Sequence, residues 1–144
     1  MRTIRSGVRR ARRLSFSEWR LLALAWWGLL AADLCLRVLP FSRVERLFGG
    51  RRGPRGGAEL DPALRDRLVR AVARAAFHLY PARCLQRSLC LRWLLGRHGV
   101  AADLRIGVTR QRGGMRAHAW VEHQGRPVGD TDEAVSPFAA LSAP

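Results

Sequence analysis

Apolar residues in this chain first recur every three or four positions, as in helices, and later alternate with polar residues, as in strands. After Asp61 the apolar positions fall every three or four residues, which predicts a helix with one core-facing side: Leu64, Leu68, Val72, Ala75 and Leu79. Asp61 and Pro62 supply its cap and its first-turn proline. Pro81 breaks this helix, and a second, more apolar helix follows that ends near Gly99. We predict that this second helix is the central buried one.

The pattern then changes to alternation, which is typical of a strand with one buried face. We predict that one face of this strand points inward and carries Leu104, Ile106 and Val108. The other face points outward and carries Arg105, Gly107 and Thr109. The sequence RGGM predicts a turn, and AHAWVEH predicts the next strand. Helices followed by a small antiparallel β-meander define an α+β fold.

The first third of the chain is predicted to contain one long helix between two polar segments. The uninterrupted apolar run Leu21–Ala32 has 12 residues, against the ~20 that a membrane-spanning helix needs. A buried or partner-binding helix capped by Ser17 is therefore favoured, and contact with a membrane surface stays open. We predict four segments: a basic arm at 1–13, an apolar helical segment at 14–48, a Gly/Arg linker at 49–58 and the main domain at 59–144.

Composition narrows the chemistry. The formal net charge of the 144 residues is +15, and arginine supplies every basic residue except the four histidines. Because the chain has no lysine, Schiff-base chemistry and a P-loop lysine are excluded. The basic stretches lack interleaved aromatic residues, which argues against nucleic-acid binding but leaves an acidic peptide or a membrane surface open. Three cysteines indicate a reducing compartment, so we predict a cytoplasmic protein.

A candidate catalytic pair lies on the hairpin MRAHAWVEHQGRPVGD. A two-residue turn at 124–125 would pair His118 with Thr131 and would point Asp130 to the opposite face. A three-residue loop at 123–125 would pair His118 with Asp130, with Cβ atoms about 5 Å apart. We predict the three-residue loop, because its third position favours a left-handed glycine.

A carboxylate opposite His118 would fix the tautomer of the imidazole and favour its charged form. Asp132 is the alternative carboxylate on the same face. The hairpin alone leaves a second interpretation open, in which His118 and Asp130 are an ordinary surface pair.

The candidate nucleophile is Cys84, in the first turn of the helix after Pro81. Amide groups and the dipole at a helix N-terminus favour a thiolate, and a nearby imidazolium favours it further, as in papain-like enzymes. Cys35 lies in an apolar run, and Cys90 lies about 240° round the helix from Cys84, so both are predicted to be structural. A buried cysteine without a function is the alternative for Cys84.

A zinc site is not predicted. Its four candidate ligands are Cys84, Cys90, His118 and His123. The two cysteines point to different helix faces, and the two histidines point to opposite strand faces. Neither a metal nor an organic cofactor is predicted.

Three stretches taken together resemble the protease of lasso-peptide biosynthesis, a branch of the transglutaminase-like, papain-related cysteine proteases: CLQRSLCLRWLLGRHGV, LRIGV and AHAWVEHQGRPVGD. The resemblance covers roughly residues 60–140, and the preceding apolar helix and LPF are also typical of that family. It implies a protease core at 59–144, with Cys84 as nucleophile, His118 as base and Asp130 as orienting acid. The glutamine that papain-like enzymes place before the cysteine has no counterpart in AFHLYPAR. The second oxyanion donor is therefore open among His78, Tyr80 and Trp120.

The resemblance also implies the substrate and the partners. Such an enzyme removes the leader from a ribosomally made precursor peptide, and a separate ATP-using lasso cyclase then closes the ring. Residues 1–60 show no strand alternation typical of a fused leader-recognition module, so a separate recognition protein is expected. Two alternatives remain: a non-catalytic basic adaptor on a peptide or membrane surface, and a transglutaminase-like acyl transferase with the same three residues.

Overall fold

A computed structural model describes residues 15–49, 59–79 and 82–141. Its helices are α1 Phe16–Val38, α2 Phe41–Leu47, α3 Pro62–Arg74, α4 Cys84–Arg97 and α5 Asp132–Val135. Its strands are β1 Asp103–Gln111, β2 Gly114–His123, β3 Arg126–Val128 and β4 Ala139–Ala140. They form one antiparallel sheet in the order β3-β2-β1-β4. The predicted α+β class is confirmed. The predicted arm at 1–13 and all of the predicted linker except Gly49 lie outside the described residues.

The N-cap of helix α1 lies two residues earlier than predicted. The N-cap is Ser15, and the prediction of Ser17 is wrong. The amide of Glu18 donates to the Ser15 hydroxyl, while the Glu18 carboxylate accepts from the Ser15 amide at 2.8 Å. This reciprocal capping box satisfies two amides at once, which the Ser17 hydroxyl could not do. The helix ends before Pro40, as the extended backbone preferred ahead of a proline requires.

One face of α1 is buried, and its opposite face is exposed although it is also apolar. The buried residues are Ala25, Gly28, Leu29 and Ala32. The exposed apolar face carries Phe16, Trp27, Leu34 and Val38, each more than 60% exposed. By length and composition alone α1 could cross a membrane, with a mean hydropathy of 1.7 over its most apolar window, 28% of which is buried. Core helices of soluble proteins meet the same criterion, so this property does not identify a membrane segment.

The main core joins four elements of the chain. Leu29 of α1, Leu68 of α3, Leu94 of α4 and Val121 of β2 are each at most 1% exposed and belong to one cluster. Consequently, the apolar segment predicted at 14–48 packs into the same core as the predicted main domain. Burial of such side chains contributes roughly 1.5–3 kcal/mol each to the free energy of unfolding.

Helices α1 and α4 cross in close contact at Gly28. A Cβ atom at this position would lie 2.8 Å from Cys90 Sγ and 3.3 Å from the Trp93 ring. The Cys90 thiol donates to the carbonyl of Ala25 at 3.3 Å. The predicted structural role of Cys90 therefore agrees with its position, which fixes α4 against α1.

Gly107 of strand β1 faces away from the main core, as the predicted alternation requires, but it is buried. A Cβ atom there would lie 2.8 Å from the Trp120 ring and 2.9 Å from Phe138 Cβ. The reason is that a second apolar layer, formed by Trp120 and Phe138, covers the sheet face away from the main core. Glycine is required there because the Trp120 ring lies directly on the strand.

The register of the β2–β3 hairpin also differs from the prediction. His123 pairs with Arg126 and Val121 with Val128, so the loop has two residues rather than three. Gln124 and Gly125 both have positive φ, 51° and 76°. These angles match the two-residue turn whose twist suits adjacent strands, and Gln124 adopts the left-handed region although it is not glycine.

Candidate active site

Cys84 is the first residue of α4, as predicted, and it is partly buried. The N-cap residue Arg83 has extended backbone (φ −78°, ψ 169°), which turns the chain into the helix at the cysteine. Amides of the first helical turn have no partner within the helix, and they point out of its N-terminal end, where Cys84 lies. This position favours negative charge on an oxygen bound there.

A hydrogen-bonded bridge fixes the start of α4 against α1. The Gln86 side chain accepts from the Arg83 amide at 2.7 Å and donates to Asp33 Oδ1 of α1 at 2.7 Å. Asp33 in turn accepts from Arg37 at 2.9 Å. The bridge was not predicted, although a carboxylate within an apolar run is the signal that marks Asp33. It positions the residue before Cys84 from a helix 53 residues earlier in the chain.

The His118 ring is held between aromatic side chains on β2 and on the segment after α5. It stacks on Trp120 at a centroid distance of 6.0 Å and an interplanar angle of 16°, and it lies 5.3 Å from Phe138. Trp120 is only 3% exposed and donates its indole N–H to Glu122 at 2.9 Å. Glu122 also accepts from Arg105 at 3.0 Å. These contacts restrict the orientation of the imidazole.

Asp130 reaches His118 by a different route from the predicted strand pairing. Strand β3 ends at Val128, and Gly129 adopts φ +87°, which turns the chain out of the sheet. Asp130 Oδ2 then lies 3.4 Å from His118 Nε2. Side chains alternate between the two faces of a sheet only where the strands are paired. Asp130 lies beyond the paired residues of β3, so this alternation does not determine the direction of its side chain. Asp132, the alternative carboxylate, is exposed at the start of α5.

Cys84, His118 and Asp130 line one cavity of about 90 Å³, together with the Arg87 side chain and apolar residues of α3 and α4. His118 and Asp130 keep 25% and 33% of their side-chain surface exposed, so a substrate from solvent can reach them. Because Nε2 of His118 faces Asp130, Nδ1 is the ring nitrogen left for the cysteine. The structure thus brings the three predicted residues together, and their catalytic roles remain predictions.

The other two cysteines lie away from this cavity. Cys90 is fully buried, and burial raises the pKa of its thiol to about 12. Cys35 packs partly buried beside the second apolar cluster, which contains Ala32, Val44, Phe48 and Leu89. Cys90 has no accessible thiolate near neutral pH and is a built-in reference for the reactivity of Cys84.

Trp120 is not suited to be the second oxyanion donor, although it was one of three candidates. Its indole N–H is directed to Glu122. His78 is exposed and contacts Phe77, and Tyr80 lies outside the described residues.

Ser88 connects the helix of Cys84 to the strand of His118. It is 7% exposed, and its hydroxyl donates to the carbonyl of Ala119 at 2.9 Å. Ser88 lies one helical turn after Cys84, on the same side of α4, and Ala119 directly follows His118. One buried hydrogen bond therefore joins the two candidate catalytic elements. A serine among the leucines of this helix is the signal for it.

We expect Ser88→Ala to lower the free energy of unfolding by about 1–2 kcal/mol, because it removes a buried hydrogen bond. Urea unfolding of the full chain measures this change. Ser136→Ala is the matched control, since the Ser136 hydroxyl also donates to a backbone carbonyl, that of Glu133, but is exposed. Equal stability losses in the two variants would show that the buried bond does not fasten α4 to β2.

Comparison with known families assigns the fold. The model of the Transglutaminase-like superfamily matches residues 26–143, which is most of the chain. The chain belongs to this superfamily, whose members usually carry cysteine protease or acyl transferase activity. The match begins inside α1, and it includes the part of this helix that carries Asp33. Searches of curated proteins and of solved structures found no match.

Proposed function

We propose that this protein is a cysteine protease that removes the leader from a ribosomally made lasso precursor peptide before a separate ATP-dependent cyclase closes the ring. The observation that carries the proposal is the cavity at which Cys84, His118 and Asp130 meet. The resemblance of the motifs around these three residues to the lasso-peptide proteases supports the substrate. Superfamily membership supports a cysteine hydrolase or transferase in general.

The proposed reaction has two steps. The Cys84 thiolate attacks the carbonyl at the end of the leader, and the C–N bond breaks while the His118 imidazolium gives its proton to the leaving amine of the core peptide. Water then attacks the thioester, His118 accepts its proton, and the leader leaves with a free carboxylate. The amide of Cys84 at the helix start donates to the oxyanion in both steps. Asp130, 3.4 Å from His118, orients the imidazole.

An acyl transferase would use the same residues but would replace water by an amine. Products of a lasso precursor peptide, formed in isotopically labelled water with and without added hydroxylamine, distinguish the two reactions by mass spectrometry. A protease puts labelled oxygen into the new leader carboxylate, with little hydroxamate at low hydroxylamine concentration. Hydroxamate as the main product would contradict the protease and identify a transferase. If the precursor stayed intact although its recognition protein was present, the result would instead favour the non-catalytic adaptor.

The exposed apolar face of α1 is the proposed docking surface for the separate leader-recognition protein. Trp27 and Leu34 lie seven residues apart on this face, are 63% and 61% exposed, and face away from the core. The precursor and the cyclase complete the proposed set of partners, in the cytoplasm. Trp27→Ser with Leu34→Ser, rather than deletion of the helix, tests the docking, because deletion would also remove Leu29 from the core.

A further inference from the structure

Two further grooves lie next to the cavity at Cys84, around the end of α3. The Cys84 cavity and the middle groove share Ala73 and Arg87. The middle groove and the outer groove share Arg74. The three spaces are therefore consecutive neighbours, and we call their line from the cysteine, over the end of α3, to Glu18 at the start of α1 the path.

This path is lined by arginines that form no ion pair with a described carboxylate. Arg67, Arg70 and Arg74 follow one another at intervals of three and four residues, so they lie on one face of α3. Neither they nor Arg87 lie within ion-pair distance of a carboxylate among the described residues. At 1.5 Å per residue the row on α3 is about 10 Å long, which matches about three residues of extended peptide.

One carboxylate already responds to this row. The pKa of Glu18 is lowered, chiefly by the hydrogen bond from the Ser15 amide, and the charges of Arg74 and Arg67 lower it further. Glu18 is the sole acidic residue lining the three described grooves apart from Asp130. The grooves thus present a strongly positive field with almost no internal compensation.

The middle groove combines this charge with an apolar surface. Its volume is about 810 Å³, within the range of sites that hold several ligand groups. Phe77 lies on the π-helical turn Ala75–Leu79 and is 83% exposed, with its ring 4.7 Å from that of His78. An exposed phenylalanine beside Arg74 and Arg87 suits a ligand in which an apolar side chain lies next to carboxylates.

We propose that this path binds the leader side of the peptide substrate in extended form, with an apolar residue against Phe77 and carboxylates against Arg74, Arg70 and Arg67. The inference rests on the proposed protease function. In that reaction the leader supplies the carbonyl of the thioester, so it stays on the enzyme through both steps. The substrate class is therefore a leader whose last residues before the cleavage site include an apolar residue preceded by acidic ones.

Binding of two synthetic peptides to the full-length protein tests this proposal without any cleavage. The probes are a fluorescein-labelled peptide with a Glu-Glu-Glu-Leu segment and its Gln-Gln-Gln-Leu counterpart, measured by fluorescence anisotropy. We expect the glutamate peptide to bind at least about tenfold more tightly at low salt, with a preference that weakens as salt screens the charges. The triple variant Arg67→Gln, Arg70→Gln, Arg74→Gln should lose this preference, and Phe77→Ala should weaken both peptides equally.

The matched control keeps the loss of net charge but moves it. Arg110, Arg112 and Arg126 are exposed on the β-hairpins, and their replacement by glutamine should leave the preference unchanged. If the two triple variants lost the preference for the glutamate peptide equally, or if neither lost it, the proposed binding of the leader in the groove would be contradicted. Displacement of the glutamate peptide by a tighter-binding single-stranded oligonucleotide would overturn it as well and assign the row to nucleic acid. We expect Cys84→Ala to retain peptide binding. If Cys84 proved unreactive while the preference for the glutamate peptide persisted, the protease proposal would be contradicted and the groove proposal would not.

Discussion

Cleavage of the precursor by the Cys84→Ala protein is expected to fall at least about 10⁴-fold below that of the unchanged protein, because the reaction loses its nucleophile and no other described cysteine reaches the cavity. Substrate binding should change little, since alanine removes only the sulfur. Initial rates of leader release by mass spectrometry, with the recognition protein present, measure the effect.

Cys35→Ala is the control for this prediction. Cys35 is also partly buried and lies in a helix of the same core, but it does not line the cavity. We expect the cleavage rate of Cys35→Ala to stay within about threefold of that of the unchanged protein, because small substitutions at partly buried positions away from a site have small effects. A Cys84→Ala protein that folds, binds its substrate and still cleaves would exclude Cys84 as the nucleophile.

The second large effect concerns the pair on the other side of the cavity. His118→Ala should lower the cleavage rate by about 10²–10⁴-fold, the usual contribution of a general acid–base. Asp130→Asn should lower it by about 10²-fold or more, because the imidazole loses its oriented charged partner at 3.4 Å. The double variant should be no slower than His118→Ala alone, because Asp130 acts only through His118.

Asp132→Asn is the matched control for Asp130→Asn. The two carboxylates lie two residues apart, but Asp132 is exposed at the start of α5, while Asp130 lines the cavity. We expect Asp132→Asn to retain most of the activity. Rates in which Asp132→Asn is the slower variant, or in which the effects of His118→Ala and Asp130→Asn multiply, would contradict the proposed role of Asp130.

The hairpin shows how far the sequence could determine the site. His118 and Asp130 were predicted as neighbours from a three-residue loop, but the loop has two residues, and the contact instead arises because Gly129 turns the chain out of the sheet. The prediction of the contact therefore rested on an incorrect register. Glycine at 125 fits both loops, and nothing in the sequence signals that Gln124 adopts positive φ.

Helix positions were easier to predict than the contacts between helices. Residues such as Leu68 and Val72 repeat with the helical period, and both are buried in α3. In contrast, α1 is apolar all round, so its periodicity could not show that Gly28 lies against Cys90. The layer of Trp120 and Phe138 over Gly107 likewise joins residues distant in sequence, which strand alternation cannot reveal.

The residues that position Cys84 were missed for a related reason. Asp33, Gln86 and Ser88 act through contacts 31 to 53 residues away in the chain. Each is a polar side chain inside a largely apolar helix, and such residues require a partner when they are buried. That signal identifies them as candidates but does not identify the partner.

The most direct test of the central claim is the pH dependence of alkylation by iodoacetamide at each cysteine, read by mass spectrometry in the unchanged protein and in His118→Ala. The account predicts that Cys84 reacts rapidly below about pH 8, where ordinary thiols are largely protonated. Cys90 should not react, since burial raises the pKa of its thiol to about 12. His118→Ala should remove the advantage of Cys84. A Cys84 that reacts no faster than Cys35 in the folded protein, or as fast in His118→Ala as in the unchanged protein, would contradict the proposed catalytic site.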